Sequence, residues 1–210
     1  MSKFDYVHDP AEIYRQSFAI VQSETGIDNI QPDMRSVATR LVHSCGMIDV
    51  VDDLRFSNGA AEAGQAALNA GKPIFCDVEM VRSGIIKRLL PQENELICTL
   101  NDERVSDHAN AIGNTRSAAA VDFWGDDLEG AIVAIGNAPT TLFRLLETVV
   151  LNGVKPALVV GIPVGFVGAV ESKQALVDND LGLQFISVLG RRGGSAMASS
   201  VVNALAGGLG

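Results

Sequence analysis

An α/β fold with a doubly wound, mainly parallel sheet and an added helical N-terminal region is what the sequence predicts. Three features point there. Short apolar runs without polar alternation recur through the second half of the chain, as expected of strands buried on both faces of a sheet that helices cover. Segments of helical periodicity separate those runs. The first half instead carries capped, amphipathic helical segments.

Asp9-Pro10-Ala11-Glu12 offers a capping residue, a proline at the first helical position and a glutamate three after the cap. It opens a helix that runs toward Gly26. A second helix begins near Asp33 and stops at Gly46. Its Met34, Val37, Ala38, Leu41 and Val42 follow the i, i+3, i+4, i+7, i+8 pattern, so one face packs on a core. Asn58 is placed to cap a third, alanine-rich helix that ends at Gly71. Strands are expected at 74–76, 96–100, 131–135, 157–160 and 185–189, and helices between them, notably at 115–124, 140–151, 170–177 and 195–205. This alternation predicts a flavodoxin-like sheet. No linker separates the halves, so residues 1–210 are expected to form one domain.

With 47% hydrophobic and 20% charged residues the chain has a globular composition. Aromatics are only 5%, which leaves Val, Ile, Leu and Ala to build the core. The formal charge is −9, from 16 basic and 25 acidic side chains, and no basic stretch interleaves with aromatics. Nucleic-acid binding is therefore not expected. Cys45, Cys76 and Cys98 are odd in number and lack a Cys-x-x-Cys pair, so they read as small core residues rather than as disulfides or a zinc site. The N-terminus is polar and acidic, unlike a signal peptide. The longest uncharged stretches, 156–170 and 193–210, are broken by Gly, Ser or Pro and fall short of the roughly 20 strongly apolar residues of a membrane span. A cytoplasmic protein without a membrane partner is expected.

Ligands of open α/β sheets bind at the carboxyl ends of the strands. Those ends carry three glycine-containing loops, at 136–140, 161–168 and 190–195. Glycine lets backbone approach a ligand, and helix N-termini attract anions; the plainer reading is tight αβ turns. No phosphate-binding Gly-x-x-x-x-Gly-Lys-Ser/Thr, Gly-x-Gly-x-x-Gly or Gly-x-Ser-x-Gly motif occurs. His8, His43 and His108 show no metal-ligand spacing.

His43 lies opposite the apolar stripe of its helix, grouped with Ser36, Thr39 and Arg40. That face meets solvent or lines a site. Arg40 disfavours an imidazolium and an arriving anion favours it, so this histidine can become a proton donor when substrate binds. Ser17 interrupts the apolar stripe of Ile13, Tyr14, Ile20 and Val21. Its hydroxyl either bonds back to the Ile13 carbonyl or faces a ligand.

Six segments resemble, in order, the precorrin-8X methylmutase family of corrin-ring biosynthesis. They are Tyr14-Arg15-Gln16-Ser17-Phe18, Thr39-Arg40-Leu41-Val42-His43-Ser44-Cys45-Gly46, Asn114-Thr115-Arg116-Ser117-Ala118, Gly136-Asn137-Ala138-Pro139-Thr140, Gly161-Ile162-Pro163-Val164-Gly165-Phe166-Val167 and Gly190-Arg191-Arg192-Gly193-Gly194-Ser195. The resemblance implies a flavodoxin-like homodimer that moves a methyl group from C11 to C12 of a carboxylate-rich tetrapyrrole, giving hydrogenobyrinate without metal or redox cofactor. It implies His43 as the catalytic acid and Ser17 and Arg40 as substrate contacts, with Tyr14 and Thr39 in the same runs. Arg116 and Arg192 are added as partners for the substrate's acetate and propionate arms. Trp124 and the uncharged segment 193–210 are expected to supply apolar surface for the dimer.

Alternatives are the cobalt-precorrin-8 methylmutase of the anaerobic route and a non-catalytic tetrapyrrole carrier. A methyltransferase or synthase with a nucleotide-like cofactor would need a glycine fingerprint that this chain lacks.

Overall fold

The computed structural model describes residues 4–207. Its strands are β1 (Leu54–Phe56), β2 (Ile74–Cys76), β3 (Leu96–Ile97), β4 (Ile132–Ile135), β5 (Leu158–Gly161) and β6 (Phe185–Val188), in the sheet order β1-β6-β5-β4-β2-β3. The neighbours from β2 to β6 pair in parallel. Counted among themselves they stand in the order 2-1-3-4-5, which is the flavodoxin-like arrangement. The short β1 is an addition to the expected strands. It joins the edge in antiparallel register, Leu54 opposite Val188 and Phe56 opposite Ile186. Three residues are too few for a readable alternation.

Helix α1 (Pro10–Glu24) opens on Asp9, whose carboxylate accepts from the Ala11 N–H at 2.8 Å. The return half of the expected capping box is missing, because the Glu12 carboxylate is engaged by Arg15 and Gln16, each within 2.7 Å. Helix α2 (Arg35–Cys45) follows a 3-10 turn over Pro32–Met34 and ends on left-handed Gly46. The cap of α3 (Ala60–Asn69) is Gly59, at φ 87°, and not Asn58. Next come α4 (Glu79–Gly84), α5 (Val105–Ile112) and α6 (Arg116–Ala119), the last continued by a 3-10 turn over Ala120–Phe123. The chain closes with α7 (Pro139–Asn152), α8 (Ala169–Val177) and α9 (Ser195–Gly207).

β3 is shorter than the apolar run 96–100 because Thr99 is drawn out of the sheet. Its hydroxyl donates to the Ala120 carbonyl at 2.8 Å and accepts from the Trp124 indole at 3.0 Å.

Two cores flank the sheet. On one face Leu41, Leu68, Ile74, Val160 and Val201 belong to a cluster built from α2, α3 and α9. On the other Phe75, Val133, Leu142, Leu145 and Leu176 join α7 and α8. α9 packs against α2, α3 and α4 on its outer sides and against β4 and β5 on its inner side. A helix of small and apolar residues without a charge, whose Ser199 and Ser200 hydroxyls bond to its own carbonyls, suits such a buried position. This overturns the expected source of dimer surface, since α9 is covered by its own chain and Trp124 is buried in a stack on Phe75 with ring centroids 5.1 Å apart. Residues 208–210 of that segment lie outside the described residues. Among the described residues no helix is long and apolar enough to cross a membrane.

Candidate active site

α2 buries its apolar stripe as its periodicity requires, with Met34, Val37, Ala38, Leu41 and Val42 all in the core. Its opposite face does not meet solvent as a whole, because α1 packs across it. Thr39 and Arg40 are buried there, and the Thr39 hydroxyl donates to the Arg35 carbonyl at 2.9 Å. Burial pushes the Arg40 guanidinium below its ordinary pKa, and nearby Arg88 adds to that shift while Tyr14 opposes it. His43, in the last turn, stays exposed. Its ring lies 5.7 Å from that of Tyr14 and 5.3 Å, edge-on, from that of Phe18. Tyr14 and Phe18 are four apart on α1 and so share one helix face. The hydroxyl of half-buried Ser17 bonds neither to the Ile13 carbonyl nor to any other described residue. His43, Tyr14, Ser17, Thr39 and Arg40 thus come together on the α1–α2 pair. Phe18 is the member that sequence reasoning passed over, although its spacing from Tyr14 announces it.

The loops at the strand ends explain their own glycines. A Cβ on Gly136 would stand 2.7 Å from the Ser195 Cα, and one on Gly193 would stand 2.4 Å from the Ile162 carbonyl oxygen. Both glycines are therefore required for backbone to pass backbone, and at these positions the tight-turn reading holds. Asp77 follows β2 at the point where the strand order reverses. Its buried carboxylate accepts from the N–H groups of Gly136 at 3.0 Å, Asn137 at 2.8 Å and Ala138 at 2.9 Å. Burial pushes its pKa up, and the three N–H groups pull it back. The signal that could have found it is an acidic residue directly after a buried strand.

Arg116 and Arg192 lie on other elements than the His43 group, Arg192 bordering the cleft that Met47 lines just after α2. Arg116 opens α6, exposed, and donates to the Leu100 carbonyl at 3.0 Å. Beside it the hydroxyls of Thr115 and Thr140 meet at 2.8 Å. Arg192 is held by Asp49 at 2.7 Å and by Asp53, so its guanidinium is spent on the turn before β1. Its carbonyl accepts from buried Lys173 at 2.7 Å.

Two clefts flank the end of α2. One, of about 340 Å³, involves Ser44, Met80 and Ser199; the other, of about 360 Å³, involves Met47, Phe166 and Gly193. A further cavity of about 380 Å³ beside Asp122 and Arg144 belongs to the other core. Asp122 there is already matched, to His108 at 2.6 Å and to Arg144 at 2.7 Å.

A flavodoxin-like sheet, with a histidine-bearing helix end beside clefts formed by its strand-end loops, defines a doubly wound α/β enzyme. The family model described as "Precorrin-8X methylmutase" matches residues 12–207, and the chain belongs to that family of isomerases in cobalamin biosynthesis. A precorrin-8X methylmutase of Pseudomonas aeruginosa is 54% identical, over 96% of this chain and 97% of that one. One from a Sinorhizobium species is 48% identical, over 98% of both. A Salmonella typhimurium relative named cobalt-precorrin-8 methylmutase is 40% identical, over 95% and 96%. The crystal structure of the Thermus thermophilus precorrin-8X methylmutase is similar at a TM-score of 0.82 and 37% identity, over 92% of this chain and 94% of that one.

Proposed function

We propose that the chain moves the methyl group of metal-free precorrin-8X from C11 to C12, giving hydrogenobyrinate, with His43 as the proton donor. The observation that carries this reading is the state of His43. It is exposed beside a buried arginine, flanked by two rings, and among the described residues neither of its ring nitrogens has a hydrogen-bond partner. Its proton is not committed to holding the fold. Protonation at the ring being rearranged changes the π-electron distribution and eases migration, and because the reaction is an isomerisation the proton must afterwards be returned. Tyr14 and Phe18 hold the imidazole without competing for that proton. Ser17 and Arg40, beside it, suit substrate contacts.

The higher identity to relatives named for precorrin-8X than to relatives named for the cobalt form supports the metal-free substrate. The chain is proposed to work as one 210-residue domain, in the cytoplasm, as a homodimer. Exposed Ile13 and Ile20 on α1, and Val150 and Leu151 at the end of α7, are among the apolar side chains available for pairing. Sedimentation at micromolar concentration should return twice the monomer mass; a monomer there removes the dimer.

The reaction is tested by incubating purified protein with each substrate form and following the absorbance of the lengthened conjugation. Many turnovers on the metal-free form are expected. A spectral shift that stops at one equivalent means a carrier, and faster turnover of the cobalt form reassigns the substrate.

A further inference from the structure

Phe166 is 83% exposed and Val167 90%, while Val164 and Val170 are partly so, and Met47 borders the same cleft. Scattered apolar residues on a surface are ordinary, whereas a contiguous patch on rigid backbone is not. The backbone here is pinned. Gly165 N–H donates to the Arg191 carbonyl at 3.2 Å, and Gly194 N–H donates to the Ile162 carbonyl at 3.0 Å. Lys173 holds the Arg192 carbonyl from inside, and Arg192 itself is tied to Asp49 and Asp53. The chain fixes both loops and leaves Phe166, Val167 and Arg191 exposed on them. The Arg191 guanidinium carbon lies 5.4 Å from the centre of the Phe166 ring. Among the described residues no carboxylate pairs with Arg191. The two adjacent arginines therefore have opposite assignments, one consumed by the fold and one left open.

A planar guanidinium over an aromatic face is held in place while its edge remains free to grip a carboxylate with two parallel bonds. The apolar wall beside it accepts the face or rim of a flat conjugated ring. Met47 lies four residues beyond His43, so the cleft adjoins the turn that carries the proposed acid.

We propose that Arg191 and Phe166 form the subsite for one carboxylate-bearing edge of the tetrapyrrole, Arg191 binding the carboxylate and Phe166 the adjoining ring. The assignment rests on the tetrapyrrole reading above and names residues that reading does not use.

The test is equilibrium titration of the full chain with hydrogenobyrinate, followed by absorbance. Arg191→Gln should raise Kd about 10- to 100-fold, as for the loss of a charge-assisted pair. It should also flatten the dependence of Kd on salt. Phe166→Leu keeps an apolar side chain but loses the ring, and should raise Kd about three- to tenfold. Both sites are at the surface, so folding is not at stake. Lys155→Gln removes one positive charge at the amino end of β5 and should leave Kd within twofold. If the wild-type chain binds hydrogenobyrinate and both site variants match it within twofold, the subsite is overturned and the function stands. If the wild-type chain does not bind the product at all, both fall. If either variant turns the protein monomeric at unchanged affinity, the patch is a protein contact and the subsite is again overturned.

Discussion

A histidine is useful as an acid only if nothing else claims its proton, and His43 meets that condition among the described residues. His43→Asn keeps a polar group of similar reach but cannot protonate the ring. Turnover should fall by about 10²–10⁴, the usual range for general acid catalysis. Hydrogenobyrinate affinity should change much less, because carboxylate contacts are made elsewhere. Near wild-type turnover in a folded, product-binding variant sinks the assignment. The position of His43 was legible because helical period alone sets it opposite the buried stripe. The fate of Arg192 was not, since Asp49 and Asp53 lie 143 and 139 residues away and nothing local announces the pairing. The burial of Thr39 and Arg40 was hidden for a similar reason, as it depends on α1 crossing α2.

The elements themselves were readable where a local rule governs them. Proline at the first helical position, glycine after the last turn and apolar runs of strand length gave α1, α2, α7 and the strands from β2 to β6 nearly in place. β1 escaped because its only justification is an antiparallel register with β6, more than a hundred residues downstream. Asp77 escaped because its partners are backbone groups, which leave no trace in residue types. It joins β2 to the turn before α7, with three N–H donors on two oxygens. Asp77→Asn relieves some of the cost of burying a charge but offers one acceptor oxygen in place of two and turns an NH₂ toward a donor. Stability should fall by about 1–3 kcal/mol for each donor left without a partner. Asp77→Ala, which strands all three, should cost more. Urea midpoints in the order wild type, Asn, Ala are expected, and an Asn variant as stable as wild type defeats this account.

For the molecule as a whole, the strand-helix alternation fixed the topology, because short right-handed crossovers between parallel strands leave few arrangements open. What it could not convey is depth, with α9 buried along most of its length and a lysine of α8 sealed beneath the loop after β6. Lys173 is fully buried, and desolvation pushes its pKa down to about 8 from an ordinary 10.5, with Asp53 opposing the change. The unfolded chain therefore holds this proton more tightly than the folded one. Below pH 8 both states are protonated and the fold bears the whole cost of a buried ammonium. Between pH 8 and 10.5 the unfolded state binds more protons, so this group makes stability rise with pH. The full gain is about 3 kcal/mol, since each pH unit between the two values contributes about 1.4 kcal/mol. Cys45, Cys76 and Cys98 pull the other way, because burial pushes their thiols up and the folded state then keeps protons that the unfolded state releases. The wild-type curve mixes these contributions, and a difference separates them. Lys173→Met keeps the side-chain volume and loses the bond to the Arg192 carbonyl, a loss that does not depend on pH because a neutral amine still donates. Unfolding free energy of wild type minus that of Lys173→Met, from urea titrations at intervals from pH 7 to 10.5, should be flat up to about pH 8. Above that it should climb by up to about 3 kcal/mol. A difference that stays level throughout means Lys173 titrates as an ordinary lysine and is not sealed from water.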